Sequence, residues 1–177
     1  MKSSVTRARL ASPIGELVVE AEADRLRGLH VVDDPSDPLL IGAELGGAGA
    51  FLDDVRARLN DYFEGRRRRF DLPMAQDGTA FQRRVWAELS KIPYGETISY
   101  GELAARVGAP GASRAVGSAN GRNRIAVVIP CHRVIASGGG LGGYGGGLGR
   151  KLWLLGHEAR VLGRETPARW ERESVRT

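Results

Sequence analysis

The stretch TAFQRRVWAELSKIPYGETISYGELAARVGAPGASRAVGSANG, residues 79–121, carries the clearest secondary-structure signals of the chain. Thr79 with Gln82, and Ser99 with Glu102, have the spacing of a capping box, in which two side chains satisfy free backbone N–H groups at a helix start. Each box therefore predicts a helix that begins just after it. The first helix would have one apolar side, made of Phe81, Val85, Trp86 and Leu89.

The second box opens a shorter helix through Leu103 to Val107, and a turn over Gly108–Gly111 leads to a third helix from Ala112 to about Asn120. Two short helices around a glycine-containing turn fit a helix-turn-helix unit, although such pairs are also common in plain helical proteins. Small residues dominate the third helix, and Arg114 is the only long side chain among them. This pattern suits close approach to a DNA groove or tight packing between helices.

The β-branched run Ile125–Ile129 predicts a buried strand, which Pro130 would end. Cys131 follows at once, so its thiol would lie at the end of a rigid element. A lone cysteine is usually an inert core residue. Here, however, His132 and Arg133 supply a base and a positive charge, and these make a thiolate available near neutral pH. Cys131 is therefore a candidate nucleophile.

A further helix is predicted from Arg150 to Leu162, and Glu158 falls on its apolar face. Burying a carboxylate among leucines is costly unless it is paired. His132 is a natural partner, which Glu158 would orient as the acid orients the histidine of a catalytic triad. Alternatively, Glu158 lies at the edge of the apolar stripe and is solvated, and residue spacing leaves both possibilities open.

The sequence does not support two other kinds of site, a dinucleotide-binding site and a metal site. Residues 140–145 match the three-glycine dinucleotide motif, but nine of the twelve residues 138–149 are glycine, and too little chain follows for a doubly wound sheet. One cysteine and three scattered histidines have no metal-ligand spacing. We therefore expect no cofactor and no metal ion.

The N-terminal part of the chain has the alternation of short antiparallel strands, at Leu17–Glu20 and Leu26–Val32, after a turn at Ser12–Gly15. A loop over Asp33–Gly49 follows, and then an amphipathic helix. Its apolar stripe consists of Phe51, Val55, Leu59 and Phe63. The fold class predicted is α/β (α+β), with a small antiparallel sheet domain followed by a mainly helical domain.

The composition changes near residue 75, which predicts an N-terminal domain over residues 1–78 and a C-terminal domain over residues 79–177. Residues 1–78 hold 11 Lys and Arg against 14 Asp and Glu, a net charge of −3, whereas residues 79–177 hold 15 against 7, a net charge of +8. A basic half beside an acidic half indicates that the C-terminal domain meets a polyanion. The charged tail from Gly163 is expected to be loosely ordered.

The bulk composition fits a globular protein of a reducing compartment. Apolar residues make up 42% of the 177 residues, and a single cysteine cannot form an internal disulfide. The longest apolar run, Ile125–Pro130, is too short to cross a bilayer, and residues 1–10 have no secretory-signal pattern. We expect a cytoplasmic protein with no membrane association.

The hexapeptide Pro130-Cys131-His132-Arg133-Val134-Ile135 strongly resembles the methylated-DNA–protein-cysteine methyltransferases, also called O6-alkylguanine-DNA alkyltransferases. The resemblance continues in order over about residues 79–160. It is carried by Phe81–Trp86, Ile92–Thr97, Ser99–Gly101, Arg114–Gly117, Gly143-Tyr144, Gly146-Gly147, Lys151, Leu154-Leu155 and Glu158. The N-terminal part matches more loosely, through Ser12–Gly15 and Tyr62–Gly65, and the family implies a ribonuclease-H-like fold for it.

The resemblance implies a reaction in which Cys131 is the nucleophile and irreversible acceptor of an alkyl group from O6-alkylguanine, and less readily O4-alkylthymine, in duplex DNA. His132, working through a water and oriented by Glu158, would remove the thiol proton. Asn123 would brace the turn before the active-site loop. Tyr100 would press on the phosphate of the target nucleotide and help to protonate the departing guanine.

The resemblance also implies how DNA binds. Arg114 would fill the gap left by the flipped base, with the third helix in the minor groove. Further DNA contacts would come from Tyr100, Gly101, Ala115 and Ser137. The flipped base would lie in a pocket formed near Val134, Tyr144 and Gly145.

Two departures from the family pattern are Arg124, where a proline is common, and Gly145, where a serine is common. We expect a monomer in solution that could bind DNA cooperatively. The alternatives are a protein that recognises alkylated DNA without chemistry, and a cysteine hydrolase that uses Cys131 and His132.

Overall fold

The computed structural model describes residues 4–44 and 48–176, and these divide into two compact units. The first consists of the described residues up to Gln76 together with Arg124–Ala126, and the second of residues 77–123 with those from Val127 onward. The mixed α/β character predicted from the sequence is confirmed, with a sheet in the first unit and mainly helices in the second.

The sheet of the first unit has the strand order β3-β2-β1-β4. Its strands are β1 (Thr6–Ser12), β2 (Gly15–Glu22), β3 (Arg25–Val32) and β4 (Ala43–Glu44). The first three are antiparallel neighbours, and β2 and β3 contain the two strands that were predicted, but β4 pairs with β1 in parallel, so the sheet is not wholly antiparallel. β1 and β4 were missed, and β4 lies in the segment predicted as a loop, which also holds a 3-10 helix over Pro38–Leu40.

Two tight turns set the register of this sheet. The predicted turn at Ser12–Gly15 joins β1 to β2, and the Ser12 hydroxyl donates to the Gly15 carbonyl at 2.7 Å. β2 and β3 are joined through Ala23 and Asp24, whose φ angles of 48° and 54° place both in the left-handed region. Positive φ at both central residues is the geometry of a two-residue hairpin turn.

Helix α1 (Ala50–Phe63) packs on the sheet with an inner face rotated from the predicted one. Val55 and Leu59 are buried as expected, but Leu52 and Tyr62 complete the face, and Phe51 and Phe63 are only half-buried. A four-residue interval overshoots one helical turn by about 40°, so a strict i, i+4 row drifts off one face along the helix.

The second unit contains α2 (Ala80–Leu89), β5 (Ile98–Ser99), α3 (Tyr100–Arg106), α4 (Ser113–Gly121), β6 (Val134–Ile135), α5 (Leu148–Val161) and α6 (Ala168–Ser174). Both predicted capping boxes are present: Thr79 caps α2 and Ser99 caps α3, each reciprocally with the residue three positions on. β5 and β6 form a short parallel pair that joins Ile98 to Val134.

The predicted helix-turn-helix is formed by α3 and α4. The turn between them uses Gly108 and Gly111, whose φ angles are 75° and 84°. The inner side of α4 is held against α2 by the Trp86 indole, which donates to the carbonyl of Ala119 at 2.9 Å. This packing leaves the other side of α4 exposed.

Two predictions about local structure were wrong. Residues 125–129 are buried but do not form a strand: Ile125 makes an isolated bridge to Leu29, and the chain then turns through Val127 at a φ of 69°. The tail from Gly163 is not loose, because α6 forms there and Trp170 packs against Leu141 and Leu155. Within residues 4–44 and 48–176, no helix has the length and apolar character needed to cross a membrane.

Candidate active site

Cys131 is the first residue of a 3-10 helix, Cys131–Arg133, that leads directly into β6. Its side chain is 6% exposed, so the thiol is buried just inside the surface. The helix begins after Val127, a β-branched residue with positive φ, which is an uncommon and strained backbone conformation. A strained backbone conformation persists only where contacts with the surrounding residues stabilise it.

Two asparagines, one in the last turn of α4 and one just after it, stabilise this part of the backbone by hydrogen bonds. The Asn123 amide donates to the carbonyl of Ile129 at 2.9 Å, and the Asn120 amide donates to the carbonyl of Cys131 at 3.4 Å. The turn before the thiol is thus fastened to the end of α4. Asn123 was expected to brace this turn, whereas the contribution of Asn120 was not anticipated.

Behind the thiol lies a buried charge network centred on Glu158. Its carboxylate accepts from His132 Nε2 at 2.7 Å, and from Arg133 Nε and Nη2 at 3.0 and 2.9 Å. The backbone N–H of Gly95 also donates to it, at 2.9 Å. His132 and Glu158 are both 0% exposed. The possibility that Glu158 is solvated is therefore excluded, and the predicted pairing of His132 with Glu158 is found.

Arg133 has a different position from the one expected. Instead of directing its charge at the thiol, the guanidinium pairs with Glu158 and donates through Nη1 to the carbonyl of Ile92 at 2.7 Å. Burial acts to raise the pKa of Glu158, but the charges and hydrogen bonds of His132 and Arg133 outweigh it and hold that pKa far below its usual value. The carboxylate is therefore permanently charged.

The partner of His132 determines its tautomer. Because a carboxylate only accepts hydrogen bonds, the hydrogen must be on Nε2, which leaves the lone pair on Nδ1. Burial lowers the pKa of His132, against the raising effect of Glu158, so the ring is neutral near pH 7. Nδ1 is buried and has no hydrogen-bond partner among the described residues. The ring is thus set up to accept a proton.

Lys151 is the second buried charge near the thiol. Its ammonium donates to the carbonyls of Val134, Leu141 and Gly143, at 2.6, 2.5 and 3.0 Å. The side chain is 0% exposed, and burial lowers its pKa to about 8. Lys151 belonged to the resemblance but had no expected role, because its partners are backbone atoms of two separate segments, β6 and the glycine-rich loop.

The thiol itself is held mainly in its protonated form. Burial raises the pKa of Cys131, whereas hydrogen bonding from Asn123, the positive charge of Lys151 and hydrogen bonding from Tyr144 act to lower it. Burial and the nearby sulfur together raise the pKa of Tyr144 well above its usual value, so its hydroxyl remains a donor. Three groups are therefore arranged to stabilise a thiolate once the proton leaves.

Tyr100 lies at the start of α3 beside the glycine-rich loop. Its hydroxyl donates to the carbonyl of Gly143 at 3.3 Å, and burial raises the pKa of this phenol. Gly142 has a φ of 69°, and a Cβ there would lie 3.0 Å from the Tyr100 ring. Only glycine therefore allows the loop to pass this close to Tyr100.

The expected DNA-contacting residues lie at the surface of the second unit. Arg114 and Ala115 are exposed on α4, and Ser137 is exposed after β6. Gly101 lies beside Ser137, since a Cβ at Gly101 would be 3.7 Å from the serine hydroxyl. These positions leave the side chains available to a ligand.

The three residues expected to form a base pocket differ in their surroundings. Val134 is buried and its carbonyl accepts a hydrogen bond from Lys151. Tyr144 interacts electrostatically with Cys131. Gly145 is exposed, and a Cβ there would have nothing within 4 Å. No group of three or more His, Cys, Asp or Glu side chains that could hold a metal ion occurs in the described part of the chain.

Two family models match the sequence of this chain, and known proteins are similar to it over most of its length. Residues 80–160 match the family model described as 6-O-methylguanine DNA methyltransferase, DNA binding domain, and residues 5–76 match the ribonuclease-like domain of the same proteins. A methylated-DNA–protein-cysteine methyltransferase of Mycobacterium leprae is 52% identical over 144 residues, which cover 81% of this chain and 86% of that protein.

Solved structures give the same result. The crystal structure of O6-methylguanine methyltransferase from Mycobacterium tuberculosis superposes with a TM-score of 0.79 at 44% identity, over 93% of this chain and 96% of that one. A structure of the Mycobacterium tuberculosis protein in complex with DNA has a TM-score of 0.78 at 45% identity, and covers 92% and 96% of the two chains.

Proposed function

Because this chain belongs to the methylated-DNA–protein-cysteine methyltransferase family, we propose that Cys131 is the sulfur that receives the alkyl group and that O6-alkylguanine in duplex DNA is the substrate. DNA repair by alkyl transfer to a cysteine is the activity of the chain, and DNA is its partner. The choice of cysteine is forced, since the sequence has only one.

The observation that supports this proposal is the buried network behind the thiol. A neutral His132 whose Nε2 hydrogen is committed to Glu158 keeps Nδ1 as a base, and Glu158 remains charged to stabilise the imidazolium that forms. A protein that only recognised alkylated DNA would not need a cysteine next to a buried histidine that is set up to take a proton. The recognition-only alternative is therefore not favoured.

The proposed reaction is a displacement at carbon. His132 removes the thiol proton, through a bridging water, and the sulfur attacks the alkyl carbon of the lesion. The bond from that carbon to guanine O6 breaks, and its electron pair stays on the base. The base becomes neutral guanine after it takes up a proton, which Tyr100 helps to deliver. The product is a thioether on Cys131.

One molecule would repair one lesion. A thioether is a poor leaving group, and the chain has no second thiol that could remove the alkyl group. The protein is therefore consumed stoichiometrically, which also separates it from a cysteine hydrolase, since a hydrolase would release its product and react again.

The buried position of the thiol requires the target base to leave the helix. Flipping a base out of a duplex costs a few kcal/mol of stacking, an order-of-magnitude figure. We assign Arg114 to filling the space left behind, because it is the one long, exposed side chain on an α4 surface of small residues. Gly101, Ala115 and Ser137 would contact the duplex, and Val134, Tyr144 and Gly145 would surround the flipped base.

The proposal also covers the cellular location and the oligomeric state of the protein. A reactive thiol remains reduced in the cytoplasm, so we place the protein there. We also propose that the free protein is a monomer, and that any cooperation between molecules arises only on DNA.

The test is a comparison of the wild type with Cys131→Ala on duplex DNA that carries O6-methylguanine. The wild type should remove the lesion, and Cys131→Ala should leave it intact while binding the duplex with an affinity within about twofold, since the removed sulfur would touch only the alkyl carbon of the lesion. Lesion removal by Cys131→Ala would reject the assignment.

A further inference from the structure

Helix α6 contacts the glycine-rich loop at two backbone positions. The Trp170 indole donates to the carbonyl of Gly139 at 2.9 Å, and the Glu173 carboxylate accepts from the N–H of Leu141 at 2.6 Å. Between these contacts, the Leu141 side chain is 0% exposed and packs on Trp170 and Leu155. The loop is thus held to α6 by two hydrogen bonds and one apolar cluster.

The glycines at these positions fit close approach. Gly139 has a φ of 80°, which a residue with a side chain rarely adopts. A Cβ at Gly140 would lie 3.1 Å from both carboxylate oxygens of Glu173, which is closer than ordinary van der Waals contact. The absence of a side chain at Gly140 therefore allows the Glu173 carboxylate to lie close to the loop backbone.

The other side of the same loop faces the thiol. Lys151 donates to the carbonyls of Leu141 and Gly143, Tyr100 donates to Gly143, and the Tyr144 phenol interacts electrostatically with Cys131. Leu141 is therefore the residue at which the two sets of contacts meet: its N–H belongs to Glu173 and its carbonyl to Lys151. A displacement of Leu141 would therefore also displace Gly143 and Tyr144.

A glycine-rich segment needs such external contacts. Glycine has more backbone freedom than any other residue, so a loop with this many glycines samples many conformations unless groups outside it fix its backbone. Lys151 fixes the loop through the carbonyls of Leu141 and Gly143. Helix α6 fixes it through the N–H of Leu141 and the carbonyl of Gly139.

We propose that Trp170 and Glu173 of α6 are positioning residues for alkyl transfer, which hold Gly139 and Leu141 so that Gly143 and Tyr144 lie correctly beside Cys131. The proposal rests on Cys131 as the alkyl acceptor. Neither residue touches the substrate. Their effect is on the rate of the chemical step, because a small misplacement of groups around a reacting atom slows the reaction steeply.

The experiment compares Glu173→Ala, Trp170→Phe and a matched control, Glu171→Ala. Glu171 lies on the same helix and carries the same charge, but it is exposed, and among the described residues its carboxylate makes no hydrogen bond to the loop. Glu173→Gln serves as the rescue variant, since its amide oxygen can still accept from the N–H of Leu141.

Each variant is measured for its first-order transfer rate constant at saturating duplex, its Kd for the same duplex and its Tm. We expect Glu173→Ala and Trp170→Phe to lower the rate constant about five- to tenfold, with Kd unchanged within about twofold. Glu171→Ala should transfer at the wild-type rate, and Glu173→Gln should recover most of the loss. Amide hydrogen exchange over residues 136–147 should speed up in Glu173→Ala and in Trp170→Phe but not in Glu171→Ala.

A transfer rate for Glu173→Ala equal to that of Glu171→Ala would overturn the proposal. So would a rate loss that simply follows the fraction of unfolded protein, because α6 would then matter only for stability. If the wild type itself fails to alkylate Cys131, the proposed function fails as well, whereas normal transfer by all variants rejects only the role of α6.

Discussion

His132 Nε2 lies 2.7 Å from Glu158 Oε1, with both side chains completely buried. The same carboxylate is engaged by Arg133, so one negative charge serves a neutral base and a permanent cation. This sharing links the chemistry of the site to the stability of the fold.

Replacement of Glu158 by Gln should therefore affect both properties. It leaves the Arg133 guanidinium buried without a counter-charge, which should lower the free energy of unfolding by about 3–5 kcal/mol. The transfer rate of the folded fraction should also fall, because the imidazolium of His132 loses its stabilising charge. Urea unfolding and single-turnover transfer measure the two effects separately. Glu96→Gln, which removes the charge of an exposed glutamate that pairs with exposed Arg164, is the control.

The pH dependence of stability follows from the same groups. Glu158 has a lowered pKa when folded, so its contribution is complete above the ordinary glutamate pKa of 4.5 and is lost as the pH falls toward the folded value. His132 also has a lowered pKa, so the unfolded chain takes up its proton first as the pH falls through 6.5. Wild-type stability should thus decline below about pH 6.5. Below about pH 4.5 the decline should be shallower in Glu158→Gln, because that variant lacks the titrating carboxylate. An equal slope in both proteins would contradict the coupling.

Replacement of Lys151 by Met should raise the pKa of Cys131. The lysine charge acts to lower that pKa, and methionine fills a similar volume without charge or donors. Transfer should slow, and its pH–rate profile should move to higher pH. The pH dependence of Cys131 alkylation by iodoacetamide reports the thiol pKa directly. Lys91→Met, which removes an exposed lysine, is the control. An unchanged thiol titration in Lys151→Met would refute this role.

The buried Lys151 also makes a prediction for alkaline pH. Its pKa is lowered to about 8 from 10.5, so between these values the unfolded chain binds more protons than the folded chain. Stability should therefore rise with pH across this window because of Lys151. Unfolding measured in wild type and Lys151→Met over the same range isolates the effect, since the variant should lack this rise.

Replacement of Arg114 by Ala should slow transfer from duplex DNA but spare the free base. Arg114 is exposed, so the free energy of unfolding should change by less than about 0.5 kcal/mol. If Arg114 fills the space left by a flipped nucleotide, its loss matters only when a base must be flipped. The ratio of transfer rates on duplex DNA and on O6-benzylguanine as a free base should fall. The comparison variant is Arg122→Ala, which removes another exposed arginine just after α4. An equal slowing on both substrates would exclude the role.

Replacement of Gly95 by Ala should destabilise the protein more than the same change at Gly108. Both glycines have nearly equal positive φ angles, 76° and 75°, so the backbone strain is the same. A Cβ at Gly95 would come within 2.2 Å of Leu162, whereas nothing lies within 4 Å of one at Gly108. The Gly95 N–H also holds Glu158. The difference between the two variants in free energy of unfolding should be on the order of 1–3 kcal/mol, and equal effects would show that the contact is unimportant.

Features with a local chemical cause were predictable from the sequence. The capping boxes at Thr79 and Ser99 need only two side chains three residues apart, and both form as expected. The burial cost of a carboxylate on an apolar helix face identified Glu158, although the sequence could not decide between pairing and solvation. The position of Cys131 between a proline and a histidine indicated a reactive site.

Features that depend on distant backbone atoms were not predictable. Residues 125–129 are as apolar as a strand, but apolarity signals burial and does not specify a conformation, and Val127 takes a left-handed turn instead. The three carbonyl partners of Lys151 come from strand β6 and from the glycine-rich loop, and the sequence does not encode locally how these segments meet. The charge of the tail gave no indication that Trp170 is buried and anchors α6.

The most direct test of the central claim is the intact mass of the protein after incubation with excess duplex that carries O6-methylguanine. The account predicts a gain of one methyl group, about 14 Da, in every molecule, confined to the peptide that contains Cys131 and stable on dilution into fresh buffer. An unmodified Cys131 peptide, or repair of more than one lesion per molecule, would contradict it.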